Sequence, residues 1–304
     1  YGSLRILGRA SIEFGFLKRI LFLLFLLFSS KKANNFNEII LNLKKHNPTL
    51  NIEIELSSDA KSISVSKDNI LVKTIKDVKS QVKEWKNQGL SIGFVPTMGF
   101  LHEGHGSLIE KAKNENDKVI VSIFVNPTQF GPNEDLDKYP RNLEGDKTLV
   151  ASKGGDLIFA PEVNEMYPEE IYTFVNTSVL DNNLCGIKRP GHFRGVCTVV
   201  SKLFNIVNPH RAYFGKKDYQ QLAIIKKMVK DLNFDIEIIG CEIIRSEKGL
   251  ALSSRNSYLS ELEKEESLIL SKTLKLMADK IANGEKNSKV LIDFAIENIH
   301  SVPS

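Results

Sequence analysis

From Ile70 to Cys241, short apolar runs alternate with stretches in which apolar residues recur every three or four positions. The runs predict strands at 70–74, 90–95, 119–125, 156–160, 211–214 and 235–241; the longer period predicts helices at 76–88, 104–114, 143–153, 196–207 and 219–232. Gly89 is the stop signal of the first helix, and the Val/Ile run at 119–125 has the composition of a strand buried on both faces. Residues 172–176 also read as strand-like, and beyond Cys241 the pattern becomes helical near 261–282 and 288–300. Strand and helix in alternation predict an α/β fold, a Rossmann-like doubly wound parallel sheet. Ligands of such sheets sit outside the carboxyl ends of the strands. No internal repeat or low-complexity tract is visible.

Residues 1–69 follow another pattern. Ile20–Phe28 is a nine-residue apolar run preceded by Lys18 and Arg19, too short to span a bilayer and similar to a signal-peptide core, with no clean small-x-small cleavage site after it. A helical pattern near 36–45 and a strand-like 51–56 follow. Three readings stay open: a targeting segment, a short fused module, or upstream sequence translated from a misplaced start, which is favoured. The expected organisation is an extension over 1–69, a nucleotide-binding domain over 70–243 and the start of a second domain over 244–304. A start at Tyr1 and a stop directly after a helical pattern read as a fragment at both ends.

Charge and cysteine content narrow the function classes. The net charge of +4 arises within residues 1–69, which hold ten Lys/Arg against six Asp/Glu, while the rest holds 31 against 31. That balance disfavours nucleic acid as the main partner, and no membrane span is expected. Cys185, Cys197 and Cys241 are far apart and lack a Cys-x-x-Cys spacing, so neither a disulfide framework nor a zinc site is indicated. A reducing, cytoplasmic compartment fits, with the apolar run leaving a targeting segment open.

The chemistry concentrates at strand-to-helix junctions. In Gly93–Glu110 an apolar strand passes through a turn marked by Pro96 and Gly99 into a helix, whose unpaired first N–H groups and partial positive charge attract anionic oxygens. His102 and His105, three residues apart, share one side of that helix entrance and suit phosphate donation better than metal ligation; the bland reading is a pair of capping or surface histidines. Gly215-Lys216-Lys217-Asp218 occupies a second junction. Lys217 suits a triphosphate, and Asp218 is read either as a Mg²⁺ ligand or as a helix cap. Gln129 and Gln221 suit a small polar substrate. Ser253-Ser254-Arg255 has the composition of a phosphate clamp, with a capped turn as the alternative. Lys188, Arg189, His192 and Arg194 form a basic cluster with no assignment.

Taken together, Val95–His105, Ser122–Phe130, Arg189–Gly195, Tyr213–Gln221 and Leu250–Asn256 closely resemble the pantothenate synthetase (pantoate–beta-alanine ligase) family, in unbroken order over about 70–260. The resemblance implies a fold of the nucleotidyltransferase superfamily with a His-x-Gly-His loop. It implies condensation of pantoate with beta-alanine, in which ATP, with Mg²⁺, gives pantoyl adenylate and pyrophosphate before the amine displaces AMP. By resemblance, Met98, Gly99, His102, Gly104, His105, Gly215, Lys216, Lys217, Asp218, Ile244, Leu252, Ser253, Ser254 and Arg255 bind ATP. His105 takes the catalytic proton-donor role, His102 and Lys217 assist, Gln129 and Gln221 contact pantoate, and Gln129 and Asn126 contact beta-alanine. A homodimer is implied, as is a lid domain of which only the beginning is present. Lys216 departs from the Glu or Gln more usual in the family. Two other readings are another His-x-Gly-His nucleotidyltransferase and a fragment that binds nucleotide without turnover.

Overall fold

The computed structural model describes residues 50–56, 61–67 and 69–303. The chain divides into two compact units, Tyr1–Ile70 and Leu71–Ser304. In the first, β1 (Leu50–Leu56) and β2 (Lys61–Lys67) pair antiparallel, in register from Leu50 opposite Lys67 to Leu56 opposite Lys61. The strand expected at 51–56 is therefore present. The Ile20–Phe28 run and the helical pattern at 36–45 lie outside the described residues.

The functional elements lie in the six-stranded sheet and its helices. In chain order they are β3 (Ile70–Val72), α1 (Ile75–Asn87), β4 (Ile92–Thr97), α2 (Glu103–Glu115), β5 (Lys118–Ile123), α3 (Leu143–Ser152), β6 (Leu157–Phe159), two single-turn helices α4 (Val163–Met166) and α5 (Cys185–Lys188), α6 (His192–Val207), β7 (Arg211–Gly215), α7 (Tyr219–Asp231) and β8 (Glu237–Cys241). The strand order is β3-β6-β5-β4-β7-β8, parallel from β6 through β8. Three helices follow: α8 (Glu261–Glu266), α9 (Leu268–Ala282) and α10 (Ser288–Ile299).

Burial explains the strands. Ile92, Phe94 and Val95 of β4, Val119, Ile120 and Val121 of β5, and all three residues of β6 are fully buried, as a parallel sheet covered by helices on both faces requires. α1 turns Val78, Val82 and Trp85 inward, and Thr74 caps its start by accepting from the Asp77 N–H. The chain steps outward from β4 through β5 to β6, then crosses to β7 on the other side of β4. This reversal opens a crevice above the carboxyl ends of β4 and β7, where ligands of such sheets bind.

Three expectations are corrected. Residues 172–176 form no strand: the Val175 N–H donates to Thr198 Oγ1 of α6, and the Phe174 ring lies under the Arg194 guanidinium at 4.9 Å. α6 begins at His192, one turn before the apolar period starts at Val196, because Gly191 in the left-handed region (φ 83°) sets its first turn. The helix expected over 261–282 is two helices, parted at Ser267, whose hydroxyl donates to the Glu263 carbonyl.

Candidate active site

Three loops leave the carboxyl ends of β4, β5 and β7, and a fourth segment, 252–255, faces them. After β4, Thr97 Oγ1 donates to the Ser122 carbonyl (2.6 Å) and accepts from the Gly99 N–H (3.2 Å). The N–H groups of Phe100 and Leu101 donate to the Asp146 carboxylate at 2.9 and 2.6 Å, which fixes the turn from below. Gly99, at φ 85°, makes that turn. Asp146 comes from the first turn of α3 and is buried, and desolvation raises its pKa against the pull of those two N–H bonds.

The turn delivers His102 as the N-cap of α2. Its Nδ1 accepts from the Gly104 N–H (3.1 Å), while His105 Nδ1 accepts from the His102 N–H (3.3 Å), a capping box made of two imidazoles. A neutral imidazole that accepts at Nδ1 carries its proton on Nε2. Both rings, 4.1 Å apart at their centroids, therefore keep an Nε2–H donor. Gly104 permits the fold-back, since a Cβ there would stand 2.8 Å from His102 Cε1. Burial, then each ring's positive neighbours, lower both pKa values; for His105 burial, His102 and Lys217 push it down to about 3. The capping reading thus holds through Nδ1, and it leaves each Nε2–H unused by the cap.

The β5 loop presents Gln129. Asn126 Nδ2 donates to Gln129 Oε1 (3.1 Å) and to the Gly195 carbonyl (3.3 Å), while Asn126 Oδ1 accepts from Thr128 (3.0 Å) and Tyr167 (2.8 Å). Gln129 Nε2 contacts Met98 Sδ at 3.1 Å. α6 abuts this loop so closely that a Cβ on Gly195 would lie 2.2 Å from the Thr128 carbonyl oxygen. The β7 loop presents Lys217, whose Nζ lies 3.4 Å from Asp218 Oδ1. Asp218 precedes α7 but makes no side-chain cap bond, so the helix-cap alternative does not hold. In the facing segment, Ser254 Oγ donates to the Phe100 carbonyl (3.0 Å), tying it to the histidine loop. Arg255 grips Asp135 through Nε and Nη2, both at 2.8 Å, and lies 5.3 Å from the centre of the Tyr139 ring. These hydrogen bonds hold the Asp135 carboxyl below its usual range.

These pieces enclose a cavity of about 260 Å³. His102, Gly104, His105, Lys217 and Asp218 line it with Ser253, Ser254 and Arg255; Met98, Asn126, Gln129, Gly215, Gln221, Ile244 and Leu252 complete the expected set. Gly99 and Lys216 are not on its wall. Gly99 shapes the turn, and Lys216 is spent on an ion pair with Glu242. Residues that sequence reasoning did not place are there too: Arg189 and His192 from the unassigned basic cluster, Tyr139, and an apolar wall including Phe124, Val199 and Leu203. The supporting carboxylates Glu134, Asp135 and Asp146 were also missed. The only sequence signal was the acidic run Glu134-Asp135-Leu136-Asp137, which holds two of the three. Among the described residues, no group of three His, Cys, Asp or Glu could hold a metal ion, and no helix is long and apolar enough to cross a membrane.

The family model described as Pantoate-beta-alanine ligase matches residues 70–303. The chain belongs to that family. Among its relatives, the pantothenate synthetase of Clostridium botulinum (strain Okra / Type B1) is 60% identical over 233 residues, 77% of this chain and 83% of the relative. That of Clostridium acetobutylicum is 62% identical over 217 residues, 71% and 77% respectively. The crystal structure of pantothenate synthetase from Thermus thermophilus superposes with a TM-score of 0.73 at 45% identity, covering 77% of this chain and 83% of that one. A Francisella tularensis pantoate-beta-alanine ligase, described as complexed with beta-gamma ATP and beta-alanine, gives 0.63 at 40% identity, covering 76% and 86%. The protein is thus a ligase of the pantoate–beta-alanine family, on a parallel α/β sheet.

Proposed function

We propose that the cavity condenses pantoate with beta-alanine at the expense of ATP, through pantoyl adenylate, releasing pyrophosphate and then AMP. The observation that carries this reading is the convergence of two Nε2–H donors, Lys217 and the Ser253–Arg255 segment on one side, with Gln129, Gln221 and an apolar wall beside them. The first group suits a triphosphate, the second a small dihydroxy acid with a dimethyl carbon. The beta-gamma ATP and beta-alanine of the Francisella complex support the same assignment. Mg²⁺ enters as part of the nucleotide substrate, since Asp218 is a mostly exposed carboxylate beside Lys217 and belongs to no three-ligand cluster among the described residues.

In the first step a pantoate carboxylate oxygen attacks the α-phosphorus and pyrophosphate leaves. In the second the beta-alanine amine attacks the acyl carbon, sheds a proton and expels AMP. Neither step needs a protein nucleophile, and none of the three cysteines lines the cavity; burial pushes Cys197 up to about 12 and Cys241 to about 11. The protein supplies alignment and charge stabilisation. Burial, the first cause of its depressed pKa, keeps the His105 ring neutral, and its Nε2–H then serves as a hydrogen-bond donor to the phosphates. Arg255 exchanges Asp135 for phosphate oxygens as ATP enters.

The test is ATP–pyrophosphate exchange, expected to depend on pantoate and on no other carboxylic acid. Lys217→Ala or His105→Ala should lower it by roughly 10²-fold, the cost of removing one preorganised donor. Exchange without pantoate, or variants within a few-fold of wild type, would overturn the assignment.

A further inference from the structure

Behind the Gln129 wall runs a chain of hydrogen bonds that begins outside the cavity. Glu134 takes Arg189 in a two-point grip, with Nε to Oε1 at 2.7 Å and Nη2 to Oε2 at 2.5 Å. Arg189 Nη1 lies 3.0 Å from His192 Nε2, and His192 Nδ1 lies 2.8 Å from the Gln129 carbonyl oxygen. A guanidinium only donates, so His192 Nε2 must accept and its proton must sit on Nδ1. There it meets a carbonyl, which only accepts. The geometry admits one tautomer, opposite to that of His102 and His105. Burial lowers the His192 pKa, in keeping with a neutral ring.

We propose that Glu134 is a positioning residue for the reaction, acting through Arg189 and His192 to fix the peptide carbonyl of Gln129 and so the amide that meets the acyl substrate. The proposal rests on the reading of Gln129 as a pantoate contact. Two features tie the chain to the site. Arg189 and His192 themselves line the cavity, whereas Glu134 does not. The chain also ends on a residue that is buried and whose amide is already held at both ends, by Asn126 and Met98. With the amide's two ends set, the carbonyl is the remaining handle on its orientation. Glu134 reaches that handle from five residues downstream by bridging to the start of α6, where Gly195 lets helix and loop touch.

The experiment compares the wild-type chain with Glu134→Gln and Glu134→Asp, by pantoate-dependent exchange kinetics and by ¹⁵N NMR of the imidazoles, the His192 signals being identified with His192→Gln. At neutral pH the wild-type His192 ring should be protonated at Nδ1 and bare at Nε2. Glu134→Gln, which loses the paired acceptor and its charge, should release that tautomer. It should raise the pantoate KM roughly ten-fold, the scale of one charge-assisted hydrogen bond, with the ATP KM within about two-fold and Glu134→Asp in between. An Nε2–H ring in wild type overturns the proposal, as does Glu134→Gln with unchanged pantoate kinetics in an otherwise active protein. Equal changes in both KM values with a lowered Tm would show a merely structural pair and overturn it too. If wild type shows no pantoate-stimulated exchange, the functional reading fails separately, and the NMR arm still decides the hydrogen-bond chain.

Discussion

Each of the two cavity histidines spends Nδ1 on the backbone and leaves Nε2 out of the cap, and the burial that comes with this position has a measurable cost in acid. His105 binds its proton only near pH 3 in the fold, against an ordinary value of 6.5. Between those values the unfolded chain holds a proton that the folded chain refuses, so stability rises with pH through the window and is lost as pH falls from about 6.5. His102, His192 and His210 are lowered in the same direction, each chiefly by burial. The stability read from urea unfolding should therefore fall between pH 7 and pH 5, by up to about 1.4 kcal/mol per pH unit for the buried His105 ring. His105→Asn should flatten that slope. An identical slope in the variant would mean that His105 titrates normally in the fold.

At the scale of elements, α6 decides where Gln129 stands. Gly195→Ala would drive a methyl group into the Thr128 carbonyl at 2.2 Å, so helix or loop must give way. A strain of about 1–3 kcal/mol is expected, read as a lowered Tm, with a higher pantoate KM and an ATP KM close to wild type. Unaltered pantoate kinetics would show that the loop absorbs the shift without moving its amide. The strands, and most helices to within a few residues, were legible in the sequence because burial on both faces leaves continuous apolar runs such as Val119–Val121. The histidine loop, Lys217 and the Ser253–Arg255 segment were legible as residue types at junctions. The first turn of α6 was not, because its outward residues face the cavity or Phe174 and break the apolar period. Residues 172–176 misled because their alternation is that of a strand, while their backbone is engaged by a helix side chain. Glu134, Asp135 and Asp146 could not be assigned, since their meaning lies in partners 55, 120 and about 46 positions away.

In the whole molecule, every residue lining the cavity lies in the unit Leu71–Ser304, and the family match begins at residue 70. A chain beginning at Asp68, just before β3, should therefore fold and bind ATP with an affinity within about two-fold of the full chain, by titration calorimetry. A large loss would assign residues 1–67 a part in the site. The order β5-β4-β7 also has a bearing on synthesis. The Ile92 N–H finds His210 Nδ1 across 118 residues, and Ser254 finds the Phe100 carbonyl across 154. At translation speeds of roughly 5–20 residues per second, a nascent chain carries β4 with one edge unpaired for on the order of ten seconds before β7 is made, and lacks the Ser254 tie for longer still. An open strand edge is a template for wrong pairing, so the crevice between β4 and β7 is also the place where the unfinished chain most needs shielding.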